Sequence, residues 1–150
     1  MEYKDFIKEF YERTAKNLIV IEELYGKSVE YEVFETTQLI NSLIGMLIFP
    51  QQNLFNKIKD NDTKFEIDCS YKLGKNSSLA EYSNIKFSKL LRHMRNAVAH
   101  ARIEQKTSNG DIIGFTLEDK DEAGNVVFKA DFMLDEIKDI VRKLSEDYLS

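Results

Sequence analysis

The sequence predicts a mainly α fold: four helices in a bundle, with a small β-hairpin inserted before the last helix. Three observations predict it. Breakers are scarce, with one Pro and six Gly in 150 residues, and chains poor in both sustain long helices. Apolar residues recur at helical spacing over long stretches. Strand-like sequence begins only after Ala101, beside strong turn signals. With 43% apolar and 31% charged residues, the chain has the balance of a folded soluble protein. Its length suits a single domain over residues 1–150. Collagen-like, mucin-like and wholly disordered chains are excluded.

The first helix is expected over Lys4 to Tyr25, where Ile7, Phe10, Leu18, Ile21 and Leu24 share one stripe. Gly26 is its natural stop. The second runs from Tyr31 to Phe49, and Pro50 ends it. Its apolar residues lie nearly all round, as in a helix that is central or meets a partner chain. Residues 50–82 carry Asn-Asp and Asn-Ser-Ser clusters and read as a loop with one short helix near Asn53 to Ile58. A third helix spans Ser83 to His100. Ser108-Asn109-Gly110-Asp111 is a turn signal. Ile112–Leu117 and Val126–Ala130 read as the hairpin strands, joined by Asp121 to Asn125. The tip residues Asp119, Lys120, Asp121 and Glu122 read as solvent-facing. The last helix, Leu134 to Tyr148, carries Ile137, Ile140, Val141 and Leu144 on one face.

The net charge of −5 and pI near 5.2 argue against broad, non-specific nucleic-acid binding. The distribution of charge points elsewhere. From Tyr82 to Ile103 there is no Asp or Glu, while Lys86, Lys89, Arg92, Arg95 and Arg102 are all basic. The rest of the chain sets 16 basic residues against 26 acidic ones. Both histidines, His93 and His100, lie in the basic segment. Cys69 is the lone cysteine. It permits no internal disulfide and no cysteine zinc site, fits a reducing compartment, and reads as a buried or incidental thiol. The longest apolar run, Leu43 to Phe49, is too short for a membrane span. The start, Met-Glu-Tyr-Lys-Asp-Phe, lacks the form of a signal peptide. The expectation is a cytoplasmic protein without membrane association.

On the third helix Phe87, Leu90, Leu91, Met94, Ala97, Val98 and Ala101 fall in about a third of the circumference, the core-facing stripe. Lys86, Ser88, Lys89, Arg92, His93, Asn96 and His100 take the opposite face. Arg95 sits at the boundary, where its long stem swings outward. Asn96 and His100 are one turn apart. An imidazole gives or takes a proton near neutral pH, and a guanidinium offers a fork of donors that fits phosphate. The plainer reading of the same residues is a solvated basic face ending in a histidine cap.

Arg95-Asn96-Ala97-Val98-Ala99-His100, within LLRHMRNAVAHARI, resembles the signature of the HEPN superfamily: Arg, a polar residue, a few more residues, then His, near the end of a late helix. Glu35-Thr36-Thr37-Gln38-Leu39-Ile40-Asn41-Ser42-Leu43, closing on Ile48-Phe49-Pro50, is similar to a plasmid- and phage-associated branch that also has a β-hairpin after the motif helix. The resemblance covers most of the chain. It implies a four-helix HEPN-like bundle and a metal-independent endoribonuclease, a toxin or phage-defence effector, with no cofactor and no metal ligands. His100 is then the acid or base at the ribose 2′-OH or the leaving 5′-oxygen. Arg95 holds the scissile phosphate, and Asn96 orients phosphate or His100. The products are a 2′,3′-cyclic phosphate and a 5′-OH. Lys89, Arg92, His93 and Arg102 are candidates for RNA binding, with His93 otherwise a surface histidine. The resemblance also implies a homodimer whose two motif helices form a composite cleft, and an antitoxin or partner protein is a further expected contact. Glu35 is a candidate partner for Arg95 or for a basic residue across the dimer. Asn17 and Asn41 read as structural hydrogen bonders. The alternative function is a non-catalytic HEPN module that binds nucleotide, RNA or a partner protein as a regulatory or antitoxin subunit. The remaining reading is a purely structural helical dimer.

Overall fold

Lys64 to Tyr71 alternates outward and inward residues, and that period of two makes a strand where a loop was expected. The computed structural model describes residues 3–24, 35–48 and 62–149. In chain order these form α1 (Tyr3–Leu24), α2 (Glu35–Ile48), β1 (Lys64–Tyr71), β2 (Ala80–Lys86), α3 (Phe87–Ala99), β3 (Ile103–Ser108), β4 (Asp111–Lys120), β5 (Val126–Met133) and α4 (Leu134–Leu149). The strands make one five-stranded sheet, ordered β2-β1-β5-β4-β3, and every pairing is antiparallel. The expected mainly α bundle with a small hairpin insertion is therefore corrected: the fold is α/β. The expected hairpin is β4 and β5, and β1, β2 and β3 extend it on both sides. The first residues assigned to the third helix, Ser83 to Lys86, belong instead to β2, where Ile85 pairs with Phe65 and Asn84 with Glu66. The expected Gly26 stop, the Pro50 stop and the short helix at Asn53 to Ile58 lie outside the described residues.

The chain divides into two compact units. One comprises residues 1–57 and 137–150. In it α1 packs on α2, with Leu39 and Leu43 buried. Ile137, Ile140, Val141 and Leu144 of α4 are buried, the stripe that the sequence predicts. Lys138 and Glu22 form an ion pair at 3.6 Å. Asn17 and Asn41, expected to make structural hydrogen bonds, are both exposed. Among the described residues no helix is long and apolar enough to cross a membrane.

The other unit comprises residues 58–136: the sheet, with α3 packed against it on β4 and β2. Ile67, Cys69, Tyr71, Ile85, Leu117, Phe128, Ala130 and Phe132 are buried apolar residues of the strands, and Phe87, Leu90, Leu91, Met94 and Ala97 those of the helix. Burying each large apolar side chain contributes about 1.5–3 kcal/mol, so the α3 stripe is the main force holding the helix in place. Burial also holds the Cys69 thiol up to about 11, the inert form of a cysteine.

Local chemistry fixes where α3 begins and ends. Its N-cap, Lys86, makes no side-chain cap. Asp62 caps the helix instead: its carboxylate accepts from the Ser88 backbone N–H at 3.0 Å and from the Ser88 hydroxyl at 2.6 Å. A carboxylate there satisfies a free N–H and meets the positive end of the helix dipole. At the other end, the Arg102 N–H donates to the Ala97 carbonyl at 2.8 Å and the Ala101 N–H to that of Val98 at 3.1 Å. That pair of bonds is a Schellman closure, which needs a left-handed residue. Ala101 supplies it, at φ 53°, so it leaves the core stripe to which the sequence assigned it and is exposed. After β3, Asn109 and Gly110 both have positive φ, 52° and 84°, as the tight turn of a two-residue hairpin requires.

Candidate functional site

The predicted hexapeptide lies on the last turns of α3 and runs into the cap. Arg95, Asn96 and His100 are all exposed, as is Arg92 one turn earlier. His100 is the C-cap residue, with its N–H donating to the Asn96 carbonyl at 3.1 Å. Arg102, half-buried, follows at once and leads into β3. Arg92, Arg95, Asn96, His100 and Arg102 thus follow one another from the middle of α3 to just past its cap. Such a cluster offers fixed positive charge for a phosphodiester and one imidazole for proton transfer.

Asn96 is anchored from behind. Its Nδ2 donates to Asp119 Oδ2 at 3.3 Å. The same oxygen meets His93 Nδ1 at 2.8 Å. Asp119 is 4% exposed and His93 6%, so both corrections run the same way: neither the hairpin-tip Asp119 nor the polar-face His93 is at the surface. The His93 ring lies flat against Phe128, with centroids 4.8 Å apart and planes 5° apart. Phe128 is also the cross-strand neighbour of Asp119. A carboxylate only accepts, so Nδ1 carries the hydrogen. Nε2 is buried with no hydrogen-bond partner among the described residues. Burial pushes the His93 pKa below its ordinary 6.5, against the pull of Asp119 and with help from Arg92 and Lys89. The orphan Nε2 agrees, since a protonated ring would bury a second N–H without an acceptor.

Lys89 also turns inward. Its ammonium sits 4.4 Å from the Tyr71 ring centroid and donates to the Lys72 carbonyl. Burial and then Arg92 lower its pKa, while Cys69 opposes them. Of the four RNA-binding candidates, Arg92 and Arg102 stand beside the motif, whereas His93 and Lys89 are committed to interior partners. The Glu35 side chain lies outside the described residues.

Asp119 is the buried partner of the motif helix that sequence reasoning missed. The signal for it is parity: Leu117 and Asp119 are two apart on β4, so they share a face, and Leu117 is fully buried. A hollow of about 710 Å³ also opens in this unit, but its lining includes Asp68, Glu81, Asp131 and Glu136 against Lys129. That charge repels a phosphodiester, so the end of α3 is the stronger site. Among the described residues no group of three or more His, Cys, Asp or Glu is placed to hold a metal ion.

A family model described as HEPN pEK499 p136 matches residues 1–150. No curated protein and no solved structure matches the chain.

Proposed function

The chain belongs to the HEPN pEK499 p136 family, and from that premise we propose that it is a metal-independent endoribonuclease acting as one HEPN domain over residues 1–150. The observation that carries this reading is the exposure of Arg95, Asn96 and His100 together on the final turns of α3. A structural motif would turn these side chains inward, as His93 is turned.

In the proposed reaction the ribose 2′-oxygen attacks phosphorus and the bond to the 5′-oxygen breaks. His100 takes the 2′-OH proton, and an acid returns one to the departing 5′-oxygen. The products are a 2′,3′-cyclic phosphate and a 5′-OH. Arg95 holds the phosphate and offsets the charge that builds on its oxygens. Arg92 and Arg102 bind the flanking backbone electrostatically. One chain presents one imidazole, that of His100, at this surface. A homodimer pairing two motif helices supplies both base and acid from two copies of His100, and concentrates positive charge in a cleft on an otherwise acidic protein. DNA, without the 2′-OH, is not a substrate. A toxin or phage-defence role in the cytoplasm, restrained by an antitoxin, fits this activity.

The test is incubation of wild type and His100→Ala with total RNA in EDTA, followed by analysis of the new ends. Cyclic-phosphate and 5′-OH ends from wild type alone support the proposal. Equal cleavage by both proteins, or products ending in 3′-OH, overturn it. RNA bound by both proteins and cut by neither assigns the non-catalytic role instead.

A further inference from the structure

The carboxylate of Asp119 has two donors on one oxygen and almost no contact with water. Because a carboxylate offers no hydrogen, it decides which end of the Asn96 amide faces it: the nitrogen. The Asn96 Oδ1 acceptor is therefore turned away from Asp119. An acceptor there pairs with a donor, namely the ring N–H of His100 one turn on or a ribose hydroxyl. It does not pair with a phosphate oxygen, which is itself an acceptor. His93 completes the device. Its Nδ1–H holds the carboxylate, and its ring is clamped on Phe128 at 4.8 Å, the residue paired with Asp119 across the strands. Asp119 is thus held from two sides, and Asn96 inherits its position.

We propose that Asp119 of β4, together with His93, is a positioning residue for the motif on α3: it fixes the Asn96 amide so that its oxygen, not its nitrogen, is presented to His100 or to the ribose. The catalytic part of this assignment rests on the ribonuclease reading, whereas the amide orientation does not. Asp119 touches no substrate and acts only through Asn96.

The test has two arms. In the first, cleavage is measured for Asp119→Asn, Asn96→Ala and the double variant, with thermal unfolding alongside. Asp119→Asn keeps the shape and loses the carboxylate. It is expected to lower kcat by about tenfold or more with KM within about twofold, because the phosphate-binding arginines are untouched. The double variant is expected to match Asn96→Ala within about twofold, since both changes act on one group. Independent, multiplying losses overturn the proposal, as does a loss confined to KM. The second arm needs no variant and no activity: nitrogen-15 spectra of the wild-type protein. The expected result is His93 as the Nδ1–H form with a bare Nε2, and Asn96 amide hydrogens protected from exchange. An Nε2–H form, or Asn96 hydrogens exchanging at the rate of a free amide, overturns it. If wild type cuts no RNA while the spectrum is as expected, the ribonuclease reading fails and the assignment of Asp119 to Asn96 stands.

Discussion

His93 and Asn96 lie three residues apart on α3, and both reach the same carboxylate oxygen of Asp119, at 2.8 and 3.3 Å. The two side chains have opposite exposures, His93 being buried and Asn96 open to solvent. The shared oxygen therefore links the interior of the sheet-and-helix unit to the surface where Arg95 and His100 stand.

The pH dependence of stability follows from this geometry. Folded His93 resists protonation below the ordinary 6.5 because it is buried, despite Asp119, and because Arg92 and Lys89 repel a second charge. Unfolded His93 takes up its proton near 6.5. Between the two the unfolded chain binds more protons, so stability falls as pH drops below 6.5 and is regained above it. Denaturant unfolding of wild type between about pH 5 and pH 7 is expected to show that slope, and His93→Gln to flatten it. Equal slopes in the two proteins would refute the burial argument.

Arg95→Lys separates charge from geometry. Lysine keeps the charge and loses the planar fork that matches a phosphate. Cleavage is expected to fall by roughly 10²-fold. The measurement is an initial rate on a labelled RNA, with unfolding followed as a control. A rate within about twofold of wild type would mean that charge alone suffices at this position.

Asp62 is predicted to be worth about 1 kcal/mol to folding, the usual cost of losing a helix N-cap. It lies 26 residues before Ser88, so Asp62→Ala removes a long-range staple as well as a cap. Denaturant unfolding of the variant checks this, and unchanged stability would show that solvent replaces the carboxylate at no cost.

Ala101 carries a side chain where the closing turn of α3 demands positive φ. The left-handed region costs a non-glycine residue about 1–2 kcal/mol, part of which glycine returns as backbone entropy. Ala101→Gly is therefore expected to stabilise the protein by about 0.5–1 kcal/mol. A drop in thermal midpoint would contradict this account of the turn. RNA cleavage by the same variant reports whether the His100 position depends on a stiff cap.

Much of the layout was legible in the chain. The helix carrying the motif and the apolar stripe from Phe87 to Ala97 follow from helical periodicity, and the motif itself from its resemblance to the HEPN signature. The Asn109-Gly110 turn follows from its residue types, and the α4 stripe from the spacing of Ile137, Ile140, Val141 and Leu144. The strand β1 was also legible, as Phe65, Ile67, Cys69 and Tyr71 at every second position, yet the Asn-rich clusters around it suggested a loop. Its neighbour β2 was harder, because Ala80 to Lys86 carries one fully buried residue, Ile85, and gains its strand form from pairing with β1.

What the sequence determined alone was local: which segments carry a helical or alternating period, where turns fall, and that one segment concentrates the positive charge and both histidines. The tertiary structure decided which polar residues are interior. A helix face reads as polar whether it meets water or a carboxylate on a strand 26 residues away, so helical periodicity alone does not show that His93 is buried and His100 is not. Only the register that sets Asp119 beside Phe128, beneath that face, turned one histidine into a buried brace and left the other at the surface.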